Sequence, residues 1–459
     1  MPRFTFARPA HAGASGSLTA GSLTLAALAL GSVALAGCET TVDSNPNAIT
    51  EEQALRNQEG LLGLVVGTRR AYATSPLGCL YNAAVADGLT TRGLYVINTG
   101  NGDLAAIEAG GQTLGPANAI ASNLFAGCTF VLKDAGLLID NAKNIADPVT
   151  QASVQVHGHL FKALAIGTLA AFYEQVPTST VTAAGYLSGE RVTFTPRVAA
   201  LTQAVTLLRD ARTLLDANGG VTSVAFNARA GTAIDTKNTL TALIARYSLM
   251  AGDLDGALAA ALAVDLTKRS TFTFDAQNPN PLFRSGLVSA NVVGGAVGFG
   301  LPAAIAPEAG DGRTAFYLGN ANAAIRVTGF FKNDADPIPV YLPGEMLLIQ
   351  AEVHARQNRL ADAVAAINRV RTKTVAQDVF GVGANLPAYS GPVTQGALLA
   401  EIFRQRALEL YLQGLRLEDG RRLGRPAPGA AGAERTRNFY PYPQVERDNN
   451  ASTPADPAG

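Results

Sequence analysis

Residues 341–371 of this 459-residue chain read YLPGEMLLIQAEVHARQNRLADAVAAINRVR, and they predict two helices joined by a short turn at 357–359. Apolar residues recur at helical spacing on both sides of the turn. Alanine lets two helices approach closely, while Leu and Val fill the seam between them. The stretch therefore predicts a helical hairpin of the tetratricopeptide type.

An earlier segment, with its turn at 251–253, repeats this pattern at a constant offset. The matching positions are Ala245, Leu254, Ala257, Leu258, Ala259 and Ala260 against Ala351, Leu360, Ala363, Val364, Ala365 and Ala366. Such self-similarity is typical of stacked helical repeats, although two Ala-rich helices can also resemble each other by chance. Further helices predicted at 151–173 and at 196–217, the second with Thr195 as its N-cap and Pro196 at its first position, would complete a stack. The fold class is therefore predicted to be mainly α.

Other helices are predicted from Glu51 onward and at 118–145. Two stretches interrupt the helical pattern. Residues 75–117 are rich in Gly, Asn and Thr and predict an irregular, exposed loop region. Residues 270–340 mix Gly, Pro, Asn and Phe and predict a loop-rich excursion with a few short strands.

The charge balance argues against a nucleic-acid-binding protein. Lys and Arg together number 36, as do Asp and Glu, so the chain has no basic field for phosphate backbones and no acidic tail. It contains no Walker loop, Gly-x-Ser-x-Gly elbow, His-Glu-x-x-His motif or dinucleotide fingerprint. We therefore expect neither catalysis nor a cofactor.

The N-terminus predicts export. Arg3 and Arg8 precede an uncharged run over 18–36 that ends in Leu35-Ala36-Gly37-Cys38. This order is that of a secretory signal peptide, and its end resembles the lipobox of bacterial lipoproteins. That resemblance implies removal of 1–37, lipidation of Cys38 and a polar tether over 38–50. An ordinary cleaved signal and a retained transmembrane helix are the alternatives. No second apolar stretch is expected to reach membrane-spanning length.

Beyond Cys38 the cysteines are Cys79 and Cys128, which can form one disulfide or remain two buried thiols. The chain has no Trp, so a carbohydrate site would have to stack sugars on Tyr or Phe.

Three polar clusters were weighed as metal sites. The His157-x-His159 pair lies in a predicted helix, where residues two apart point in different directions. The Asp253-x-Asp255-Gly256 run lacks the other acidic ligands of a calcium loop and lies in a hairpin turn. A third oxygen-rich turn comprises Asn333, Asp334 and Asp336. We expect no metal site.

Two C-terminal blocks follow the 341–371 stretch: LLAEIFRQRALELYLQGLRLEDGRRLG at 398–424 and NFYPYPQVERDNN at 438–450. Together the three blocks resemble the C-terminal half of the SusD/RagB family of outer-membrane nutrient-binding lipoproteins. The positions that carry the resemblance are Glu345, Leu347, Leu348, Ile349, Ala351, Glu352, Asn368, Val370, Arg371, Ile402, Gln405, Arg406, Glu409, Leu410, Gly414, Arg416, Asp419, Arg421, Arg422, Tyr440, Pro441, Tyr442, Pro443, Gln444, Glu446, Asn449 and Asn450. The resemblance is strong over 341–450 and weak over 51–340.

The charged positions of these blocks predict structural roles. Arg406 and Glu409 lie one turn apart on a predicted helix and would form a pair. Asp419 would cap and pair with the adjacent arginines in the scaffold. Two prolines fix an extended conformation at 441–443, so this segment is expected to pack as a strap over the helices.

The resemblance implies a SusD-like fold over 51–459, with tetratricopeptide-like hairpins and a loop-rich, ligand-facing half. It implies a protein anchored by lipid at the outer membrane that binds nutrient oligomers, most often oligosaccharides. Its partner would be a SusC-like, TonB-dependent transporter. The alternative is a lipid-anchored helical-repeat scaffold that organises envelope proteins without a small ligand.

In that family the ligand lies on loops away from the repeats, which correspond here to 75–117 and 280–335. Within the first stretch, Tyr81, Arg92, Tyr95 and Asn98 are the candidate ligand-binding residues. Tyr and Arg offer flat faces, and Asn both donates and accepts hydrogen bonds. Each could equally be a loop anchor.

Overall fold

Long helices follow the amphipathic segments of the sequence in the computed structural model, which describes residues 51–288, 292–320 and 322–459. The predicted signal peptide, Cys38 and the tether lie outside the described residues. The α-helices are α1 (Glu51–Leu55), α2 (Gln58–Ala73), α3 (Cys79–Thr90), α4 (Gly102–Ala109), α5 (Ala119–Asn141), α6 (Pro148–Phe172), α7 (Ala183–Leu187), α8 (Arg197–Ala217), α9 (Val224–Ala230), α10 (Thr236–Ala251), α11 (Leu254–Ala263), α12 (Gly312–Leu318), α13 (Pro343–Arg356), α14 (Leu360–Arg371), α15 (Gln395–Glu409), α16 (Arg416–Arg422) and α17 (Gln444–Asn449).

Short strands pair in three antiparallel couples. They are β1 (Leu94–Val96) with β5 (Val293–Gly295), β2 (Gln175–Val176) with β3 (Thr195–Pro196), and β4 (Thr271–Phe272) with β6 (Ile338–Pro339). A π-helix spans Leu282–Leu287, and 3₁₀ turns span Gly111–Thr113, Ala142–Asn144, Val297–Gly300, Ala303–Ile305, Gly329–Phe331 and Val375–Gln377. The mainly α fold class is confirmed.

Side-chain caps explain where the two longest helices begin. The Asn118 side chain accepts from the Ile120 and Ala121 backbone N–H groups, both at 3.1 Å, and α5 starts immediately after it. Asp147 accepts from the Thr150 N–H at 2.8 Å, and Pro148 occupies the first turn, where its missing N–H costs nothing. Helix α6 therefore starts three residues earlier than predicted.

The predicted N-cap at Thr195 is wrong. Thr195 and Pro196 form β3, and Pro196 itself occupies the cap position before Arg197. The backbone of Thr195 pairs with Val176 instead. This pairing holds the end of α6 beside the start of α8.

The predicted helical hairpins are present and stacked. Helix α6 packs between α5 and α8, α8 packs on α10, α10 on α11, α11 on α13, and α13 on α14 and α15. The equivalent alanines of the two repeats, Ala245 with Ala351 and Ala257 with Ala363, are completely buried. These small side chains allow the close helix approach that the repeat pattern predicted.

One expectation about membrane-spanning length is wrong. The helical run Ala119–Asn144 is long and apolar enough to cross a membrane by length and composition. In the structure, α5 packs against α2, α3 and α6, and one face is buried at Leu124, Cys128, Val131 and Leu138. Its apolar character is that of a core helix.

The prediction of an exposed loop over 75–117 is also wrong. Helix α3 lies inside this stretch and is buried along nearly its whole length, polar residues included. Asn82, for example, donates from its side chain to the Gly78 carbonyl at 2.8 Å. A helix buried on all faces has no amphipathic period, so its Gly, Asn and Thr content resembled a loop. By contrast, the irregular 270–340 stretch with short strands is confirmed.

Cys79 on α3 and Cys128 on α5 are free, buried thiols. Burial raises the pKa of the Cys128 thiol well above its ordinary value, and the neighbouring Cys79 acts in the same direction. Of the two alternatives, a disulfide or a pair of buried thiols, the structure contains the pair of buried thiols.

The C-terminal Tyr-Pro-Tyr-Pro segment forms the predicted strap. The Tyr440 N–H donates to the Phe172 carbonyl at 2.8 Å, and its buried hydroxyl donates to the Ala86 carbonyl at 3.1 Å. The Tyr442 hydroxyl accepts from the Gln175 N–H at 3.0 Å. The strap therefore connects the end of α6 to α3.

Buried ion pairs connect α13 to distant helices. Glu345 receives two hydrogen bonds from Arg246 on α10, at 2.6 and 2.7 Å. Glu352 receives two from Arg422 on α16, at 2.9 and 2.8 Å. Both carboxylates are fully buried.

The predicted pairing of Arg406 with Glu409 is wrong. Arg406 donates to Asp419 at 2.8 Å, and Asp419 also accepts from Arg422 at 2.9 Å, as expected of a scaffold pair. Glu409 instead accepts from Lys373 at 2.6 Å and lies 3.3 Å from Arg313 on α12. Both carboxylates therefore have partners outside their own helix.

We predict that Glu352→Gln lowers the free energy of unfolding by about 3–5 kcal/mol at pH 7, because Arg422 loses one of its buried counter-charges and Arg356 loses its partner. Burial alone raises the pKa of Glu352, but Arg422, Arg406 and Arg356 outweigh it and lower that pKa to about 2. The carboxylate therefore stabilises the fold fully above pH 4.5, and this contribution is lost as the pH falls toward 2.

Chemical denaturation at pH 7, 4.5 and 3 measures both effects. Below pH 4.5 the free energy of unfolding should fall less steeply in the variant than in the wild-type protein. Glu52→Gln, in an exposed i,i+4 pair with Arg56, is the matched control and should change little. Equal destabilisation by both variants would contradict the prediction.

Candidate ligand-binding surface

The β1–β5 ladder joins the two irregular stretches from which the sequence predicted a ligand surface. Leu94 pairs with Gly295 and Val96 with Val293, and the Gly295 N–H donates to the Ile325 carbonyl at 2.8 Å. Residues from 92–98, 292–300 and 322–326 therefore lie together. We call this region the loop surface.

One aromatic ring and a carbonyl leave room only for glycine at the centre of the ladder. A Cβ on Gly294 would lie 2.2 Å from the Ala324 carbonyl oxygen and 2.9 Å from the Tyr95 ring. The Tyr95 hydroxyl donates to that same carbonyl at 2.6 Å. The Tyr95 side chain, half-buried, thus fastens the 322–326 segment to β1.

Side chains from the C-terminal block at 398–424 donate hydrogen bonds to the backbone of the loop surface. The Tyr411 hydroxyl donates to the Gly93 carbonyl at 2.9 Å. The buried Arg416 guanidinium donates to the Phe299 carbonyl at 2.6 Å. Because backbone carbonyls receive these bonds, the residues at 93 and 299 are fixed without using their side chains.

Asp87 on α3 positions Arg416. Its carboxylate accepts from the Leu417 N–H at 2.6 Å and the Arg416 N–H at 3.3 Å. Burial raises the pKa of Asp87 to about 6, although these hydrogen bonds and the Arg416 charge act in the opposite direction. A buried acid thus aligns α16 with the loop surface.

Of the four sequence-predicted ligand residues, Arg92, Tyr95 and Asn98 lie together on the loop surface. Arg92 is exposed and adopts a left-handed φ of 64°. A Cβ on Gly300 would lie 1.8 Å from the Arg92 carbonyl oxygen, so glycine is required where these loops cross. Asn98 is exposed, and its side-chain oxygen accepts from the Gly100 N–H at 2.9 Å.

Tyr81 lies apart from the other three. It is buried on α3, and burial raises the pKa of its hydroxyl to about 12. Its ring contacts the Gly286 position of the π-helix. Tyr81 therefore supports the loops from inside and is not at the surface.

A cleft of about 440 Å³ lies between the end of α2 and residues 277–285, a size suited to a small ligand. Its polar lining comprises Arg70, Thr74, Ser75, Gln277, Asn278, Arg284 and Ser285. Sequence reasoning missed these side chains. The two prolines in NPNP at 278–281 predict a rigid loop between polar residues, and this pattern would have identified the side chains that line the cleft.

Two hydrogen-bonding side chains shape the cleft wall. Asp275 accepts from the Gln277 and Asn278 N–H groups at 2.8 and 2.7 Å, and the Asn278 and Gln277 bonds hold the pKa of this carboxyl below its ordinary value. The fully buried Asn280 donates to the Phe330 and Asp336 carbonyls, both at 2.9 Å. Its side-chain oxygen accepts from the first N–H groups of the π-helix.

The clusters weighed as metal sites have other partners. Asp253 caps α11 by accepting from the Gly256 N–H at 2.9 Å. Asp334 pairs with Arg284, and Asp336 accepts from the Lys332 N–H. His157 stacks on Phe161, with ring centroids 4.4 Å apart. Within 51–288, 292–320 and 322–459, no three His, Cys, Asp or Glu side chains are grouped to hold a metal ion.

The loop surface and the cleft between α2 and residues 277–285 offer guanidinium groups, amides, hydroxyls and one tyrosine ring. These groups can stack on and hydrogen-bond to a polyhydroxylated molecule. The buried charges beneath them already have protein partners, so they act as supports.

We predict that Asn280→Ala lowers the free energy of unfolding by about 2–4 kcal/mol, because two carbonyls and two N–H groups lose their buried partner. Hydrogen exchange should accelerate at 282–287. Asn98→Ala, at an exposed asparagine of the same surface, serves as the control in both measurements. Unchanged exchange at 282–287 in the Asn280 variant would show that this side chain does not hold the cleft wall.

Residues 272–456 match the model of the SusD family. The whole fold is similar to solved structures that share little sequence identity with it. A SusD-like carbohydrate binding protein from Bacteroides vulgatus is 14% identical with a TM-score of 0.64, covering 86% of this chain and 97% of that one. A SusD superfamily protein from Bacteroides fragilis is 16% identical with a TM-score of 0.63, covering 86% and 98%.

A third structure is surface glycan-binding protein A from Bacteroides thetaiotaomicron in complex with laminarihexaose. It is 15% identical with a TM-score of 0.61, covering 87% of this chain and 99% of that chain. A search of curated proteins found no match.

Proposed function

We propose that the chain is a SusD/RagB family protein and that it binds an oligosaccharide on its loop surface without catalysing its cleavage. The observation that carries the proposal is the β1–β5 ladder, which brings Arg92, Tyr95 and Asn98 beside 292–300 and 322–326. Two structural neighbours, described as a carbohydrate binding protein and as a laminarihexaose complex, support the ligand class.

The composition of the surface also supports a sugar ligand. With no Trp in the chain, Tyr95 is the ring available for stacking, and Arg92 adds a second flat face. The hydroxyl of Tyr95 is engaged by Ala324, which leaves the ring itself as the contact. Asn98 adds amide groups for sugar hydroxyls.

We further propose that the chain is a lipoprotein of the outer membrane, anchored through Cys38, that delivers its ligand to a SusC-like, TonB-dependent transporter. The lipobox resemblance supports the anchor. A tether confines the binder near the transporter mouth and raises the effective concentration of captured ligand there. The helical stack offers a broad docking face, and the loop surface faces the ligand.

Isothermal titration with laminarihexaose, maltohexaose and cellohexaose tests the ligand. We expect one of them to bind, and the double variant Arg92→Ala, Asn98→Ala to bind at least tenfold more weakly. Arg209→Ala, an exposed arginine of the helical stack paired with Asp253, should bind as wild type does. Binding that is unaffected by the double variant would exclude the loop surface as the site.

The partner is tested by purifying the chain in mild detergent from its native membranes and identifying co-purifying proteins by mass. We expect a large TonB-dependent transporter, and Cys38→Ser should release the chain from the membrane fraction. Stable envelope partners with no transporter among them would favour the alternative, a lipid-anchored scaffold without a small ligand. Release of wild-type protein without detergent would contradict the lipid anchor.

A further inference from the structure

A second cleft lies in the helical stack, formed by elements that take no part in the loop surface. It has a volume of about 510 Å³ and lies between the N-terminus of α10, the 220–222 turn and residues 263–268. Its rim carries Asp235 and Asp265 together with Lys237 and Lys268. Equal numbers of acidic and basic groups make this rim electrically balanced.

The cleft continues inward to a small apolar pocket. The two share Thr222, Ile234 and Thr236 in their linings. The inner pocket measures about 20 Å³ and is walled by Leu160 and Phe226. A space of this size holds one water-sized group.

The inner pocket contains a buried acceptor without a donor. His157 is 5% exposed, and its Nε2 has no hydrogen-bond partner in the described part of the chain. Burial, followed by the Arg69 charge, lowers the pKa of His157 to about 3, and the Val65 backbone acts in the opposite direction. The ring is therefore neutral, and with its proton assigned to Nδ1, Nε2 is an acceptor.

Leaving a buried acceptor unpaired is unfavourable, so this nitrogen requires an O–H or N–H donor. The pocket admits a group of hydroxyl size. An ammonium group would lie against the Arg69 charge that already acts on the imidazole, so a neutral hydroxyl is the better match.

The outer cleft does not match an anion. Two lysines beside a helix N-terminus would attract phosphate, but Asp235 occupies that terminus and accepts from the Asn238 N–H at 3.0 Å. Asp265 adds a second negative charge. A hydroxyl, in contrast, can donate to these carboxylates and accept from Lys237 and Lys268.

We propose that this cleft is a second binding site, which takes a neutral polyhydroxylated molecule such as a monosaccharide or disaccharide, with one hydroxyl donating to His157 Nε2. Its volume lies within the range of small-molecule pockets. It shares no lining residue with the loop surface and does not depend on the function proposed there.

The test titrates the full chain with glucose, maltose and cellobiose while the ¹⁵N shift of His157 Nε2 is followed. A bound sugar should shift this resonance, because its acceptor lone pair gains a donor. His157→Leu should weaken binding at least tenfold, and Lys268→Ala, at an exposed rim position, by a few-fold. His159→Leu, on the same helix but outside both linings, is the matched control and should bind as wild type does.

Two results would overturn the proposal. One is an unchanged Nε2 shift at saturating concentrations of all three sugars, with a single ordered water in the inner pocket of crystals soaked in them. The other is sugar binding that persists in His157→Leu and is lost in the Arg92→Ala, Asn98→Ala variant, which assigns the ligand to the loop surface. Binding that survives the latter variant and is lost in the former supports the second site.

Discussion

The two buried carboxylates of α13, Glu345 and Glu352, and their arginine partners hold together the parts of this molecule. They lie seven residues apart on one face of the helix, and each is neutralised from far along the chain, by Arg246 and Arg422. Burying such charges is costly unless the geometry and hydrogen bonds are complete. Here both pairs are bidentate, so they also fix how α13 is rotated against its neighbours.

A second buried network extends this arrangement to the irregular half. Arg313 on α12 is completely buried and donates to Asp311 at 2.7 Å and to the Gln405 side chain at 2.6 Å. Glu409 lies between Arg313 and Lys373. Because these partners belong to α15 and to the segment after α14, helix α12, which precedes the 322–326 segment of the loop surface in the chain, is attached to the hairpins by charge as well as by apolar packing.

The segments whose apolar residues recur at helical spacing were predicted correctly, and the segments without such spacing were missed. The hairpins at 341–371 and 245–260 and the helices α5 and α6 show helical spacing, so they were predicted correctly. Helix α3 has no such period because it is buried on every side. The pairing of Glu345 with Arg246, of Glu352 with Arg422 and of Glu409 with Lys373 could not be predicted, since these partners lie 30 or more residues away and depend on tertiary packing.

The candidate site was likewise predicted only in part. Arg92, Tyr95 and Asn98 were found from residue type and position in an irregular stretch, whereas Tyr81, on α3, was expected at the surface and is buried. The cleft near Arg284 and the His157 pocket were missed. Each is assembled from segments separated by about 70 to 200 residues, and neither segment alone carries a recognisable motif. Side chains that bind the backbone of another loop, as Arg416 and Asn280 do, likewise leave no local pattern.

The strap around Tyr440 has a consequence for the order in which the chain can fold. Its hydroxyl forms hydrogen bonds with the Ala86 carbonyl and the Thr90 hydroxyl, and Asp87 accepts one from the start of α16. The first and last quarters of the described chain therefore complete one core. Contacts this distant in sequence form late, because closing so long a loop costs entropy before any contact offsets it. Until residues 416 and 417 are made, the buried Asp87 has no partner on α16, and until residue 440 is made, the Thr90 hydroxyl lacks that of Tyr440. The helical stack can assemble as the chain elongates, but the loop surface matures last, once the whole polypeptide is available.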